Sequence, residues 1–203
     1  MKKRFRDRPL SYSQLASWDY SKEDWYDNYV LGKRKPPTAE MRIGTVVGDK
    51  IGTPDSPIPD LNPPGVKEYP LKAEWENIFL TGYIDHFCPD MLELHENKTS
   101  PNKKRWTQSK VDKHDQLTMY ALLLHLKEGI EPEDITMYLN FIPVCLTGVT
   151  LNVCGGYRQF ETKRTKQDLV RYQQYIRDTI EQMDEYIRSR ELSPGAPKPP
   201  AFK

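Results

Sequence analysis

Apolar and polar residues alternate along two neighbouring segments near the middle of the chain, residues 76–87 and 91–98. In an extended strand such alternation places every second side chain on the same face, so each segment is predicted to be a β-strand. Pro89 and Asp90 lie between the two segments, and both residue types are common in turns for backbone reasons. The pattern therefore predicts a β-hairpin that turns at Pro89-Asp90.

Two stretches before this hairpin predict helices. Residues 10–31 predict one or two short helices that begin at Ser11 or Ser13, whose hydroxyls can accept from free backbone amides. Residues 39–51 predict another helix. Residues 53–66 are rich in proline and lack periodicity, so we expect a loop there.

The second half of the chain predicts two helices and two strands. Residues 116–127 form a strongly apolar helix that ends at Gly129. Residues 135–144 and 149–160 predict strands, and residues 166–190 predict a long amphipathic helix. The apolar stripe of that last helix consists of Leu169, Tyr172, Ile176, Ile180, Met183 and Ile187.

This order of elements predicts an α/β fold, in which a central mixed β-sheet is flanked by helices. A chain of 203 residues is long enough for one domain with its own core. We assign that domain to residues 10–192, between a basic N-terminal arm at residues 1–9 and a proline-rich tail at residues 193–203.

Composition narrows the functional classes. The residues are 37% hydrophobic and 29% charged, and no apolar run approaches the ~20 residues needed to cross a bilayer. A net charge of +1 argues against a wholly basic coat protein for nucleic acid. We see no secretory signal, and three widely spaced cysteines predict no disulfide framework. The expected location is the cytoplasm of a bacterium or of a phage-infected host cell.

The hairpin brings candidate chemistry together. If its turn is centred between Asp90 and Met91, then Asp85 faces Glu96, with their Cβ atoms roughly 5 Å apart. Lys98 lies on the same face, because alternate strand residues point the same way. Two carboxylates forced together repel each other, so a hard divalent cation that prefers oxygen ligands is the simplest compensation.

The alternative is an exposed salt-bridge cluster on the wet face of the hairpin. Leu92 and Leu94 precede Glu96 on the same face, so the charges stand where an apolar stripe ends. That position is more typical of a site at the edge of a sheet, and it favours the cation site.

Five segments of the chain match, in order, the motifs of a known family. They are Leu10-Ser11-Tyr12-Ser13-Gln14-Leu15 together with the aromatic stretch Trp25-Tyr26-Asp27-Asn28-Tyr29 that follows it, Gly44-Thr45, Gly82-Tyr83-Ile84-Asp85, Glu96-Asn97-Lys98-Thr99, and Gln116-Leu117-Thr118-Met119-Tyr120. Together they make the chain resemble the RecB-like branch of the PD-(D/E)XK nucleases, which have a restriction-endonuclease-like core. That branch includes phage exonucleases of the lambda type and CRISPR-associated adaptation nucleases.

The resemblance implies a metal-dependent nuclease site. Asp85 and Glu96 would bind one or two Mg²⁺ or Mn²⁺ ions, with the backbone carbonyl of Asn97 as a further ligand. Lys98 would orient or activate the attacking water and stabilise the charge that develops on the phosphate.

The resemblance also implies supporting residues. Gln116 and Tyr120, one helical turn apart, would help to hold Lys98 or the DNA strand. Without the family resemblance, the same pair would be interpreted as ordinary packing along a helix. Trp106 either stacks on an unpaired base or anchors a loop. The basic residues around it, which could meet phosphates, are Lys103, Lys104 and Arg105.

The chain departs from the family pattern at several positions. Gly48 stands where a histidine ligand is usual, and the next residue, Asp49, is either a substitute ligand or an ordinary surface acid. Asp19 and Tyr20 occupy the region of the first cysteine of an iron-sulfur cluster, and no cysteine follows Cys154, so no such cluster is expected. None of the four histidines is predicted to be catalytic; His95 in particular should point away from the site.

The function implied is hydrolysis of phosphodiester bonds in DNA, with an exonuclease favoured over an endonuclease. A role in recombination, repair or phage DNA processing follows by analogy. The alternatives are a catalytically silent DNA-binding module or subunit with the same fold, or a structure-specific endonuclease. The expected partner is DNA, together with a homo-oligomer or a recombination protein.

Overall fold

A mixed β-sheet of six strands forms the centre of the protein in this computed structural model. The structure describes residues 9–33, 35–51, 53, 63–147, 150–154 and 156–192. Residues 1–8 of the predicted basic arm, most of the predicted 53–66 loop and the 193–203 tail lie outside the described residues. The strands are β1 (Val66–Trp75), β2 (Ile78–Cys88), β3 (Glu93–Ser100), β4 (Thr136–Thr147), β5 (Thr150–Val153) and β6 (Arg158–Thr162).

Strand pairing follows the order β1-β2-β3-β4-β5, and β6 also pairs with β4. Only the β3–β4 pair is parallel among the described strands. In the hairpin between β2 and β3, His86 pairs with His95 and Cys88 with Glu93, which is the register expected for a turn centred between residues 90 and 91. The turn itself is a short 3₁₀ segment at Pro89–Met91, so the predicted hairpin is confirmed.

The single strand predicted at residues 149–160 is wrong, because β5 and β6 are separate. Val144 of β4 pairs with Val153, whereas Phe141 pairs with Arg158. Three residues on β4 therefore correspond to five on the returning chain. The extra residues interrupt the ladder and divide the segment into two strands.

The prediction that the cysteines form no disulfide is also wrong. Cys145 of β4 is bonded to Cys154, with Cα atoms 5.7 Å apart, within the normal range for a disulfide. Nine residues of sequence separate them, but the β4–β5 hairpin folds that interval back on itself. Cys88 remains a free, buried thiol.

The predicted helices are present, with some differences at their ends, and one short helix, at Gln108–Val111, was not predicted. The helices are α1 (Tyr12–Tyr20), α2 (Lys22–Trp25) continued by a π-helical turn at Tyr26–Val30, α3 (Ala39–Lys50), α4 (Gln108–Val111), α5 (Asp115–Glu128) and α6 (Lys166–Leu192). Ser11 precedes α1, but neither Ser11 nor Ser13 caps it; their hydroxyls bond to each other. Ser21 instead caps α2 through the amide of Asp24. Gly129 ends α5 with φ of 70°, as predicted.

Helices cover both faces of the sheet. The residues of α5 from Leu117 to Leu124 are all buried, because this helix lies between the sheet and the helices α1 and α6. On the other face, Val47 of α3 and Ile51, the residue that follows this helix, pack against Ile142 and Val144 of β4. The predicted α/β fold with a flanked mixed sheet is therefore confirmed. Within the described part of the chain, no helix has the length and apolarity to cross a membrane.

A buried arginine joins β6 to the start of α5. Arg164 is 2% exposed and directs its guanidinium at neutral oxygens. It donates to the hydroxyls of Thr118 and Thr162 and to the carbonyls of Val111, His114 and Lys163. Since these bonds hold the chain just before α5, they fix where the first turn of that helix lies.

Candidate active site

Asp85 and Glu96 come together where β2 and β3 diverge. The described ladder between these strands ends at His86 and His95, and Asn97 next directs its backbone amide at the carboxylate of Asp85, 2.7 Å away. Glu96 is 2% exposed. The alternative of a wet salt-bridge cluster is therefore wrong, because its central carboxylate is buried.

Lys98 lies on the same side as both acids. Its ammonium group is 2.5 Å from Oε1 of Glu96 and 2.7 Å from Oε1 of Gln116. The Gln116 amide donates to the Tyr120 hydroxyl at 2.7 Å, and that hydroxyl donates to the carbonyl of Tyr83 at 2.5 Å. The sheet and α5 therefore hold the lysine from both sides.

Burial dominates the charge balance of this group. It raises the pKa of Glu96 to about 7, an effect that Lys98 opposes and Asp85 reinforces. Burial likewise raises the pKa of Asp85, although the Asn97 amide and Lys98 oppose it. Burial acts to lower the pKa of Lys98, but the charge of Glu96, the hydrogen bond to Glu96 and the charge of Asp85 together outweigh burial and raise that pKa. The lysine therefore keeps its charge, whereas burial brings the pKa of Glu96 close to neutrality.

The residues present fit a hard divalent cation. Oε2 of Glu96 is buried and makes no hydrogen bond, because the neighbouring Tyr120 hydroxyl donates to Tyr83 instead. A buried carboxylate oxygen without a partner is costly, and a cation would satisfy it. The described residues contain no cluster of three or more histidine, cysteine or acidic side chains arranged around one ion. Two carboxylates and a backbone carbonyl suit Mg²⁺, which usually keeps several of its waters.

Sequence reasoning missed one acid beside the site. Glu68 on β1 lies opposite Asp85, because its neighbours on β1 pair with the neighbours of Asp85 on β2. Burial raises the pKa of Glu68, and the charges of Asp85 and Asp49 add to that effect. The alternation around Glu68 was the available signal, but the following Pro70 obscured it. Asp49 is exposed on α3, and its charge acts on Glu68.

The remaining candidates are not gathered at the acids. Trp106 is partly buried against the core and 4.8 Å from the ring of His114, an arrangement that fits the loop anchor better than a free stacking platform. His95 lies on the opposite face, stacked on Tyr138, as its alternation with Glu96 predicted. The basic residues beside Trp106 are all exposed: Lys103, Lys104 and Arg105.

Comparisons with known proteins identify the fold. No family model matches the chain, and no curated protein matches its sequence. Among solved structures, a protein from Eubacterium rectale named as an exonuclease matches with a TM-score of 0.57 at 10% identity, over 89% of this chain and 83% of that one. An alkaline exonuclease from Laribacter hongkongensis matches with a TM-score of 0.50 at 12% identity, over 92% of this chain and 94% of that one. The chain therefore shares its fold with these two solved structures.

Proposed function

We propose that this protein is a Mg²⁺- or Mn²⁺-dependent deoxyribonuclease. The observation that carries the proposal is the convergence of Asp85, Glu96 and Lys98 on one face, with an unsatisfied carboxylate oxygen in their midst. A divalent cation would satisfy this oxygen and offset the repulsion between the two carboxylates.

The side chains have separate roles in phosphodiester hydrolysis. Asp85, Glu96 and the carbonyl of Asn97 would hold the ion, which supplies Lewis-acid polarisation and an activated water when bound. Lys98 has three N–H donors, of which Glu96 and Gln116 take two. The third remains for the attacking water or a phosphate oxygen, where the charge stabilises the transition state. Tyr120 keeps Gln116 in place, so it acts as a positioning residue.

An exonuclease acting on DNA is favoured over an endonuclease. Both solved structures with the same fold are named as exonucleases. Glu68 and Asp49 extend the acidic surface and would contribute to binding a second ion through its waters. Recombination, repair or phage DNA processing would be the setting, with a homo-oligomer or a recombination protein as partner. A catalytically silent DNA-binding subunit is the competing function, and only an activity measurement separates the two.

The test is hydrolysis of labelled single- and double-stranded DNA with Mg²⁺ or Mn²⁺. We expect Asp85→Asn and Lys98→Gln to lower the rate by about 10²–10³-fold or more, because each removes charge at the reacting phosphate. Lys166→Gln is the matched control, since it removes an exposed lysine that pairs with Glu131 away from the site. Labels at either end, and a circular substrate, distinguish exonuclease from endonuclease. Activity that survives both site substitutions would show that the reaction takes place elsewhere.

A further inference from the structure

A cavity of about 360 Å³ lies between α1, the first turn of α5 and the first half of α6. That volume is at the small end of the range for ligand pockets, about 300–1,000 Å³. Its walls combine aromatic rings with two carboxylates. These side chains are Tyr12, Asp19, Tyr20, Asp115, Tyr172 and Tyr175.

One wall group has no partner of its own. The side chain of Tyr172 is 4% exposed, and its hydroxyl makes no hydrogen bond among the described residues. Burial raises the pKa of this hydroxyl, and the charge of Asp115 adds to the effect, so the hydroxyl keeps its proton. A buried hydroxyl without a partner is unfavourable. Its oxygen has less than 1 Å² of accessible surface, so a small movement of the Tyr172 ring in the cavity wall would bring it into contact with a ligand, which would supply the partner.

The charge of the cavity excludes phosphate. Asp19 accepts a hydrogen bond from the Tyr175 hydroxyl at 2.6 Å through one oxygen, which leaves its other oxygen available. Burial raises the pKa of Asp115, and the charge of Asp19 adds to this, so the two acids act on the same space. None of the residues that line the cavity is basic. Arg164 and Arg171 act on Asp115 and oppose this rise in its pKa, but neither lines the cavity. The charged groups of the lining are therefore carboxylates, which attract hydrogen-bond donors and repel phosphates.

The cavity adjoins the candidate active site. Tyr12 lines it, and the charges of Lys98 and Glu96 both act on the Tyr12 hydroxyl. Asp115 is also the immediate neighbour of Gln116, which bonds to Lys98. A group attached to the reacting nucleotide can therefore extend from the phosphate into the cavity.

We propose that this cavity binds an unpaired nucleobase that carries an exocyclic amino group, on the nucleotide next to the scissile phosphate. The proposal rests on the nuclease function proposed above. The tyrosine rings offer stacking surfaces, as in other sites for unpaired bases, and Tyr20 at 88% exposure is free to close over a base. The carboxylates of Asp19 and Asp115 accept from the amino group, and the Tyr172 hydroxyl donates to a ring nitrogen or carbonyl of the base.

A comparison of cytosine with uracil distinguishes recognition of the amino group from stacking alone. They have nearly the same size, but uracil presents a carbonyl oxygen where cytosine presents the amino group. In the cavity the uracil carbonyl oxygen would face carboxylate oxygens, and neither side would have a proton to share. A site that binds an amino group therefore binds uracil less well than cytosine. A base paired within a duplex has its amino group engaged, so the bound nucleotide must be unpaired.

The experiment compares two single-stranded oligonucleotides that differ only in a terminal deoxycytidine or deoxyuridine at the digested end. The intact protein with Mn²⁺ should cleave the cytidine substrate about tenfold faster, the effect of one charge-assisted hydrogen bond. Titration with dCMP and dUMP, followed by calorimetry, should show about the same ratio in affinity. Asp115→Asn should reduce the ratio to near one, because an amide can also donate to the uracil carbonyl.

The matched control is Asp134→Asn, an exposed acid beyond the opposite end of α5, which should retain the tenfold ratio. Tyr172→Phe should weaken binding of both nucleotides several-fold. Equal rates and equal affinities for the two bases in the unmodified protein would overturn the proposal while leaving the nuclease intact. Tighter binding of dCMP than of dUMP by a protein that cleaves no DNA would support the cavity and refute the nuclease.

Discussion

Replacing His95 by phenylalanine should make the protein less sensitive to acid. His95 is 2% exposed on the face of the sheet away from the acids, and neither ring nitrogen makes a hydrogen bond. Glu93 has an oxygen 3.7 Å from Nε2, too far to satisfy it, and His86 lies edge-on at 5.9 Å. Burial, helped by His86, lowers the pKa of His95 from 6.5 to about 4.

The sign and size of the effect follow from that pKa. Between pH 6.5 and 4 the unfolded chain binds a proton at His95 that the folded protein does not, so the free energy of unfolding falls as the pH falls. At about 1.36 kcal/mol per unit of pKa, the full loss is roughly 3 kcal/mol, of which about 2 kcal/mol occurs between pH 7.5 and 5. Phenylalanine keeps a ring over Tyr138 but carries no proton.

Urea unfolding of the two proteins at pH 7.5 and pH 5 measures the difference. Other groups also contribute to acid sensitivity, so the informative quantity is how much less the His95→Phe variant loses over this interval, which should be about 2 kcal/mol. A packing change affects both pH values equally and cancels. Parallel stability curves for the two proteins would refute the reasoning.

Three further outcomes are expected. Tyr120→Phe removes two hydrogen bonds but little volume, so it should lower the free energy of unfolding in urea by about 1–3 kcal/mol. Because Gln116 loses its support, the same change should lower kcat more than it raises KM. An unchanged kcat would contradict this positioning role. Arg164→Met leaves several buried oxygens unbonded and should cost about 3–5 kcal/mol, measured in the same way. Replacing Cys145 and Cys154 together by serine should lower the free energy of unfolding by about 2–3 kcal/mol, and a reducing agent should have the same effect on the unmodified protein only.

Much of the fold could be predicted because its signals are local. The hairpin register follows from one turn, and alternation then placed Asp85, Glu96 and Lys98 together and His95 on the other face. The long-range contacts could not be predicted in this way. Nothing in the local pattern at Arg164 indicates that its guanidinium reaches the chain before α5.

The errors have similar causes. Cys145 and Cys154 seemed unrelated because their pairing depends on the hairpin between them. The interruption between β5 and β6 reflects surplus residues on the returning chain, which an apolar pattern does not count. Glu68 was missed because its partner strand had to be known before its position opposite Asp85 had any meaning.

The divergence of β2 and β3 at Asp85 also limits how this protein can tolerate insertions. The Asp85 carboxylate takes the amide of Asn97, so the length of chain between the two acids is set by the short 3₁₀ turn. One residue added in that turn would shift β3 by one position and exchange the two faces of the strand. Glu96 would then leave the side that holds Asp85 and Lys98, and the imidazole of residue 95 would take its place. We therefore expect insertions between residues 89 and 92 to be harmful even though the turn itself is exposed.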